Sequence, residues 1–358
     1  MKKTKEYATD RNNASYPIPL YLNSNKFIYI LFGFLISLFF TAKAQDPQFS
    51  QFYASPLYLS PSYAGSTDGS RVILNFRDQW PAIPGSFLTY AFSFDHFIPQ
   101  LNSGVGLLVL QDRAGSGHLR NTNIGVQYAY QFRLGKRWQV RPAMHFYRSS
   151  RSIDFNKLLF NDQMSLSGNA PSSVEVPPLK KVSYADFSSS VLFYSTRYWG
   201  GFVIDHLSTP NQSIIDGESP IPVKYTIHGG YKSFLNGKTS SYNEESVTVA
   251  FNFRSQNKFD QLDAGMYWTR MPVILGIWYR GIPLFKAYKR GYTNNDALVI
   301  LVGYQLKDIK IGYTYDITIS RLISNTFGSH EISIIYEFNQ DQKLRKKTRK
   351  VIIPCPKY

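Results

Sequence analysis

Between Ile309 and Phe338 the chain alternates almost residue by residue. Ile309, Ile311, Tyr313, Tyr315 and Ile317 are separated by Lys310, Gly312, Thr314 and Asp316. After a break of Ser, Arg, Asn and Gly residues the pattern resumes, with Ile332, Ile334, Tyr336 and Phe338 set against Glu331, Ser333 and Glu337. A strict period of two means a β-strand with one apolar and one polar face, and two such strands joined by a polar loop read as an antiparallel hairpin. Soluble sandwiches alternate too. The polarity contrast, the aromatic strand ends and the repetition upstream suit instead a barrel with lipid outside and water inside.

The same pattern recurs along the chain. Val72, Leu74 and Phe76 alternate with Arg71, Asn75 and Arg77; Leu88, Tyr90, Phe92 and Phe94 with Thr89, Ala91, Ser93 and Asp95. Ile124, Val126, Tyr128, Tyr130 and Phe132 form the cleanest stripe. Weaker candidates fall at 103–111, 138–148, 183–194, 198–206, 223–234, 246–254, 259–268, 273–281 and 295–305. The total is about fourteen strands of roughly ten residues, the length a tilted strand needs to cross a bilayer. If residue 69 starts from the periplasm, the inner turns are 96–102, 134–137, 195–197, 235–245, 269–272 and 306–308. The outer loops are then 78–86, 113–118, 149–182, 207–222, 255–258, 282–294 and 320–328. The longest insertions fall on one side, the expected asymmetry of an outer-membrane barrel. The predicted fold is therefore all-β: a single transmembrane antiparallel β-barrel over 69–338, with a structured N-terminal arm and a basic C-terminal periplasmic tail. A register follows from it: Ile334→Arg should damage the lipid face, whereas Ser333→Arg, facing a watery lumen, should be tolerated.

Export is written at the N-terminus. The apolar run Phe27–Phe40 follows Lys26 and precedes Ala42-Lys43-Ala44, a short apolar region with an A-x-A site that reads as a cleaved signal. Residues 1–44 are thus leader and signal peptide, and Gln45 is the expected first mature residue. A mean hydropathy of −0.25 excludes a helical membrane bundle. Six basic and two acidic residues lie in 1–44, which leaves +12 of the formal +16 in the mature chain. Such a charge could point to nucleic acid, but export argues against that partner. Half of it sits in 341–358, where seven cations face the single Asp341. Cys355, the one cysteine, reads as a free tail thiol, so no disulfide framework is expected.

Mature residues 45–68 open QDPQFSQFYASPLYLSPSYAG. Pro47, Pro56 and Pro61 break any ladder, so this is an arm rather than a strand. Its Phe49, Phe52, Tyr53, Leu57, Tyr58 and Tyr63 need burial, and the barrel mouth or lumen is the available place. This opening resembles that of the PorP/SprF outer-membrane proteins of the type IX secretion system. Further matches are Arg77-Asp78-Gln79-Trp80-Pro81, Asp112-Arg113-Ala114-Gly115, Ser152-Ile153-Asp154-Phe155, His206-Leu207-Ser208-Thr209-Pro210-Asn211 and Gly276-Ile277-Trp278-Tyr279-Arg280. Ser60-Pro61-Ser62 departs from the Asn-Pro-Ala that the family often carries there. The resemblance implies an outer-membrane component of a secretion or gliding-type machine. It would support export or surface attachment of a client adhesin, with a periplasmic ring or a peptidoglycan-binding lipoprotein as further partners. A substrate-specific outer-membrane transporter or channel is the alternative.

Catalysis finds no residues. There is no G-x-S-x-G elbow, H-E-x-x-H or paired-cysteine metal motif. Asp205 and His206 are strand neighbours, which should point to opposite faces and so cannot pair. No enzyme activity, cofactor or metal is expected; beyond lipid, the partners are proteins. Two segments are candidates for holding them. Loop 149–182 begins with Ile153, Phe155, Leu158, Leu159 and Phe160, too apolar to hang free, and should fold as a surface flap that recognises the client through Phe155, Leu159 and Phe160. Its Gly168–Pro178 part should be a mobile strap. The tail 339–358 carries Lys343, Arg345, Lys346, Lys347, Arg349 and Lys350, followed by Val351-Ile352-Ile353 and a terminal Tyr358. It should dock to an acidic periplasmic partner, with the basic run steering the encounter and the apolar end anchoring it.

Overall fold

β-Branched and aromatic residues at every second position leave the backbone one way to satisfy its polar groups in lipid: pairing strand to strand until the sheet meets itself. A computed structural model of the chain shows that outcome. It describes residues 46–67, 69–164, 173, 181–215, 217–235, 244–282, 294–320, 326–338 and 353–354. The expected leader and signal, 1–44, lie outside the described residues.

The strands run β1 (Ser70–Gln79), β2 (Phe87–Ile98), β3 (Ser103–Ala114), β4 (Leu119–Tyr130), β5 (Phe132–Leu134), β6 (Trp138–Ser152), β7 (Lys181–Tyr194) and β8 (Tyr198–Asp205). They continue with β9 (Lys224–Phe234), β10 (Glu245–Gln256), β11 (Phe259–Arg270), β12 (Val273–Gly281), β13 (Asn295–Leu306), β14 (Ile309–Thr318) and β15 (Ser329–Phe338). Consecutive strands pair antiparallel except β4 and β5, β1 pairs with β15, and β4 pairs with β6 past the three-residue β5. Because β5 continues β4 after Gln131, the described residues build a closed barrel of fourteen staves. No described helix is long and apolar enough to cross a membrane.

The register carries the alternation around the wall. Leu74 lies opposite Ile334 and Asn75 opposite Ser333. Ile332, Ile334 and Tyr336 are exposed on the outside, while Glu331 and Ser333 are wholly buried. Leu74, Phe92, Ile124, Val126, Phe146, Ile277 and Ile300 extend the outer apolar band, a surface that only lipid can cover without penalty. Turns such as Ser195–Arg197, Met271–Pro272 and Lys307–Asp308 all lie at one end of the barrel, and the long connections, including 153–180 and 206–223, at the other. The short-turn end is the periplasmic end of such a barrel.

The expectation of water inside needs correction. The inward residues Arg71, Arg77, Arg141, Asp263, Asp316, Glu331 and Lys310 are as buried as the core of a soluble protein. Arg71, Arg77, Arg141, Asp316 and Glu331 are met there by the chain's own N-terminal arm.

Candidate functional site

The arm cannot join the sheet, because its prolines withhold ladder donors, so it coils. Phe52–Ala54 and Pro61–Tyr63 are single 3-10 turns on either side of the short helix Pro56–Leu59. Ser60 caps the second turn by accepting from Ser62 N. Phe49, Phe52, Tyr53, Leu57 and Tyr63 are each at most 4% exposed. The sequence placed this arm at the mouth or in the lumen; it fills the lumen.

Toward the long-loop end it is held by charge. The Glu331 carboxylate accepts from Ser50 N at 2.7 Å and Gln51 N at 3.0 Å. Gln51 returns a bond from Nε2 to the Glu331 carbonyl and accepts from Ser333 Oγ at 2.6 Å. Ser50 Oγ donates to Asp316 at 2.6 Å and accepts from Arg77 and Arg280 at 2.7 and 2.8 Å. Arg77 bridges Asp316 and Glu331; Arg280 bridges Asp263 and Asp316. Charges this buried persist only where geometry and hydrogen bonds offset their desolvation. Five strands and the arm share one clamp, so wall and plug are specified together.

Ser333 therefore does not face water. It is wholly buried against Gln51, and the expected tolerance of Ser333→Arg is wrong, because a guanidinium there would have to expel the arm.

A second polar group sits at the outer rim. Asp46 lies 2.6 Å from Lys224 and 2.9 Å from His206, whose other ring nitrogen is 2.8 Å from Asp186. Burial opposes a charge on His206, but Asp46 and Asp186 outweigh it and push its pKa up to about 10. Strict alternation had kept Asp205 and His206 apart. In fact β8 stops at Asp205, and His206 adopts φ 61°, which swings its ring inward. Both side chains reach one cluster, His206 on Asp46 and Asp205 on Lys224. The Tyr147 and Ser208 hydroxyls also donate to Asp186, and the cluster ties Asp46 of the arm to the barrel rim like an electrostatic latch. Among the described residues no group of three or more His, Cys, Asp or Glu could hold a metal ion.

Beyond these charges the plug is aromatic. Phe52 meets Trp278 edge-on at 4.7 Å, and Trp199 donates its indole N–H to the Tyr53 hydroxyl at 3.1 Å. Toward the short turns Arg141 donates to the carbonyls of Ser62 and Ala64, and Asp95 accepts from Gly65 N at 2.9 Å. There the backbone of the arm presses on the wall. A Cβ at Gly104 would lie 1.9 Å from the Ala64 carbonyl oxygen, so only glycine fits.

The flap on loop 149–182 is partly visible. Phe155–Lys157 and Asn161–Gln163 are 3-10 turns, with Asp154 accepting from Asn156 N and Gln163 from Phe160 N. Asp154 N donates to the Gly117 carbonyl at 3.0 Å, which fastens the flap to the β3–β4 loop. Phe155 and Phe160 are half-buried and Leu159 is exposed, so Leu159 alone of the three is presented outward. Of the strap Gly168–Pro178 only Ser173 is described, with its hydroxyl on Asp162 at 2.8 Å. The tail residues Lys343, Arg345, Lys346, Lys347, Arg349, Lys350 and Tyr358 lie outside the described residues. Ile353 and Pro354 are described, and both are buried. Ile353 belongs to the same apolar cluster as Tyr53, Trp199 and Trp278, so this one residue of the expected anchor packs against its own barrel.

The sequence matches the family model for the type IX secretion system membrane protein PorP/SprF over residues 41–336. The chain belongs to the PorP/SprF family. It is an outer-membrane β-barrel and a membrane component of type IX secretion. No curated protein sequence matches it. Among solved structures it is similar to the Acinetobacter baumannii outer membrane protein Omp33, at 6% identity, 75% of this chain, 98% of that chain and a TM-score of 0.42. CdiB from Acinetobacter baumannii follows at 8% identity, 75% and 60% coverage and a TM-score of 0.40. A mutant of the Rh. blastica porin has 8% identity, 75% and 99% coverage and a TM-score of 0.33. Likenesses this distant carry no argument about this PorP/SprF protein. Its barrel stands on its own strand order.

Proposed function

We propose that this PorP/SprF protein is a plugged platform rather than a conduit. It supports export or surface attachment of a client adhesin at its outer face and contacts periplasmic components of the machinery at its inner face. The supporting observation is the arm, whose buried residues and charge clamp occupy the lumen that a porin would leave to water. Leu159, with Phe155 and Phe160 behind it, is the candidate client contact, and the basic run Lys343–Lys350 the candidate periplasmic contact. No residue is assigned a catalytic role.

The test has two arms. Purified protein in a planar bilayer should be electrically silent; steady conductance would return the transporter reading. In cells, replacing Phe155, Leu159 and Phe160 with Ser should leave a heat-modifiable barrel in the outer membrane but remove the adhesin from the surface. Unchanged display would remove the flap from the client site.

A further inference from the structure

Ile353 and Pro354 carry the observation furthest. Ile353 is 3% exposed, and the apolar cluster it joins includes Tyr194, Trp199, Ile274, Leu301 and Ile335 of the wall. Three of these lie within four residues of a short turn: Tyr194 ends β7, Trp199 is second in β8 and Ile274 is second in β12; Ile335 is three residues before the end of β15, at the same end of the barrel. Their side chains point inward, where a water-filled barrel would carry polar residues. Tyr53 of the arm belongs to the same cluster. The clamps on Glu331 and Asp46 lie in the opposite half. In the inner half the buried Arg71–Asp95 pair and Arg141 hold the arm from one side of the wall, and the apolar residues of β7, β8, β12, β13 and β15 line the other. The arm covers part of that apolar lining with Phe52, Leu59 and Tyr63, and the chain supplies a further apolar occupant after leaving β15 at that end.

We propose that the periplasmic half of the lumen is a peptide-binding pocket whose ligand is the chain's own C-terminal Ile353-Pro354 segment. Recognition has a simple chemistry: a β-branched aliphatic enters an aromatic-walled pocket, and the proline after it has no N–H to leave unsatisfied there. The pocket selects an aliphatic-proline pair and rejects a charge. This goes beyond the platform reading and does not depend on any client.

The experiment uses the synthetic peptide of residues 350–358, labelled with a fluorophore, and purified protein in nanodiscs. Protein truncated after Gln340 should bind the peptide, the full chain should not because its pocket is filled, and a peptide carrying Ile353→Asp should bind neither. Full-length protein with Ile353→Asp should bind the wild-type peptide in trans, which keeps the test decisive if the truncated form does not fold. A nitroxide on Cys355 should be immobilised in the wild-type chain and freed by Ile353→Asp. Failure of both vacated forms to bind, equal binding of the Ile353→Asp peptide, or a label equally mobile in both chains would each overturn the proposal. None of these readouts involves adhesin display, so this pocket and the platform reading fail separately.

Discussion

Glu331→Ala is the sharpest test of how the arm is held. The carboxylate is wholly buried and holds two arm amides, Ser50 N and Gln51 N, as well as Arg77. Removing it orphans both amides and leaves Arg77 with Asp316 and the Ser50 hydroxyl. Breaking a buried ion pair from one side costs about 3–5 kcal/mol, so release of the arm should become more frequent by about two to four powers of ten. The barrel wall should not notice, because its ladders do not pass through this carboxylate. Hydrogen–deuterium exchange separates the two: protection over 47–60 should collapse, while peptides from β2, β10 and β13 exchange as before. Glu331→Gln keeps an oxygen acceptor and the shape, and should lose less. An inserted, heat-modifiable Glu331→Ala protein whose arm exchanged at the wild-type rate would refute the clamp.

Ile334→Arg, on the lipid face, should cost about 2–4 kcal/mol and reduce insertion; Ser333→Arg should insert but lose arm protection, and identical phenotypes would contradict the register. The latch at the outer rim should show in pH. With the His206 pKa raised to about 10 from an ordinary 6.5, its stabilisation is fully present below pH 6.5 and is lost as pH rises toward 10. Thermal unfolding from pH 6 to 10 should therefore decline more steeply in the wild type than in His206→Gln, and parallel curves would remove the latch. Gly104→Ala should destabilise the arm's lower end, since a methyl group meets the Ala64 carbonyl; unchanged exchange at 60–67 would show that the backbone can give way.

The wall was legible because alternation is a local signal: the stripes at 72–76 and 88–94 lie on β1 and β2, that at 124–132 runs from β4 into β5, and the loop asymmetry gave its orientation. The plug was half legible. Proline and crowded aromatics marked 45–68 as a buried arm, but its partners are hundreds of residues distant, as Ser50 is from Glu331, and no spacing rule reaches that far. A usable signal lay in the exceptions. Ile73 interrupts the polar series Arg71, Asn75, Arg77, and Ile335 interrupts Glu331, Ser333, Glu337. Both are buried inside, against an apolar filling rather than water. His206 escaped for the opposite reason, since a single left-handed residue ends the periodicity on which the reasoning rested.

These exceptions also explain why one strand face carries two chemistries. Along β15 the inward residues read Glu331, Ser333, Ile335 and Glu337 from the outer to the inner end. Glu331 and Ser333 grip the backbone and amide of the arm, Ile335 belongs to the apolar cluster that holds Ile353, and Glu337 pairs with Lys310 at 3.1 Å near the rim. A passive pore has no use for that gradation, because water solvates every inward position alike. A barrel that folds around its own arm needs it: polar groups where arm backbone must be satisfied, apolar ones where side chains must be buried, and paired charge where the wall again meets solvent. The order of inward residues along a single strand thus records what fills the lumen at each height.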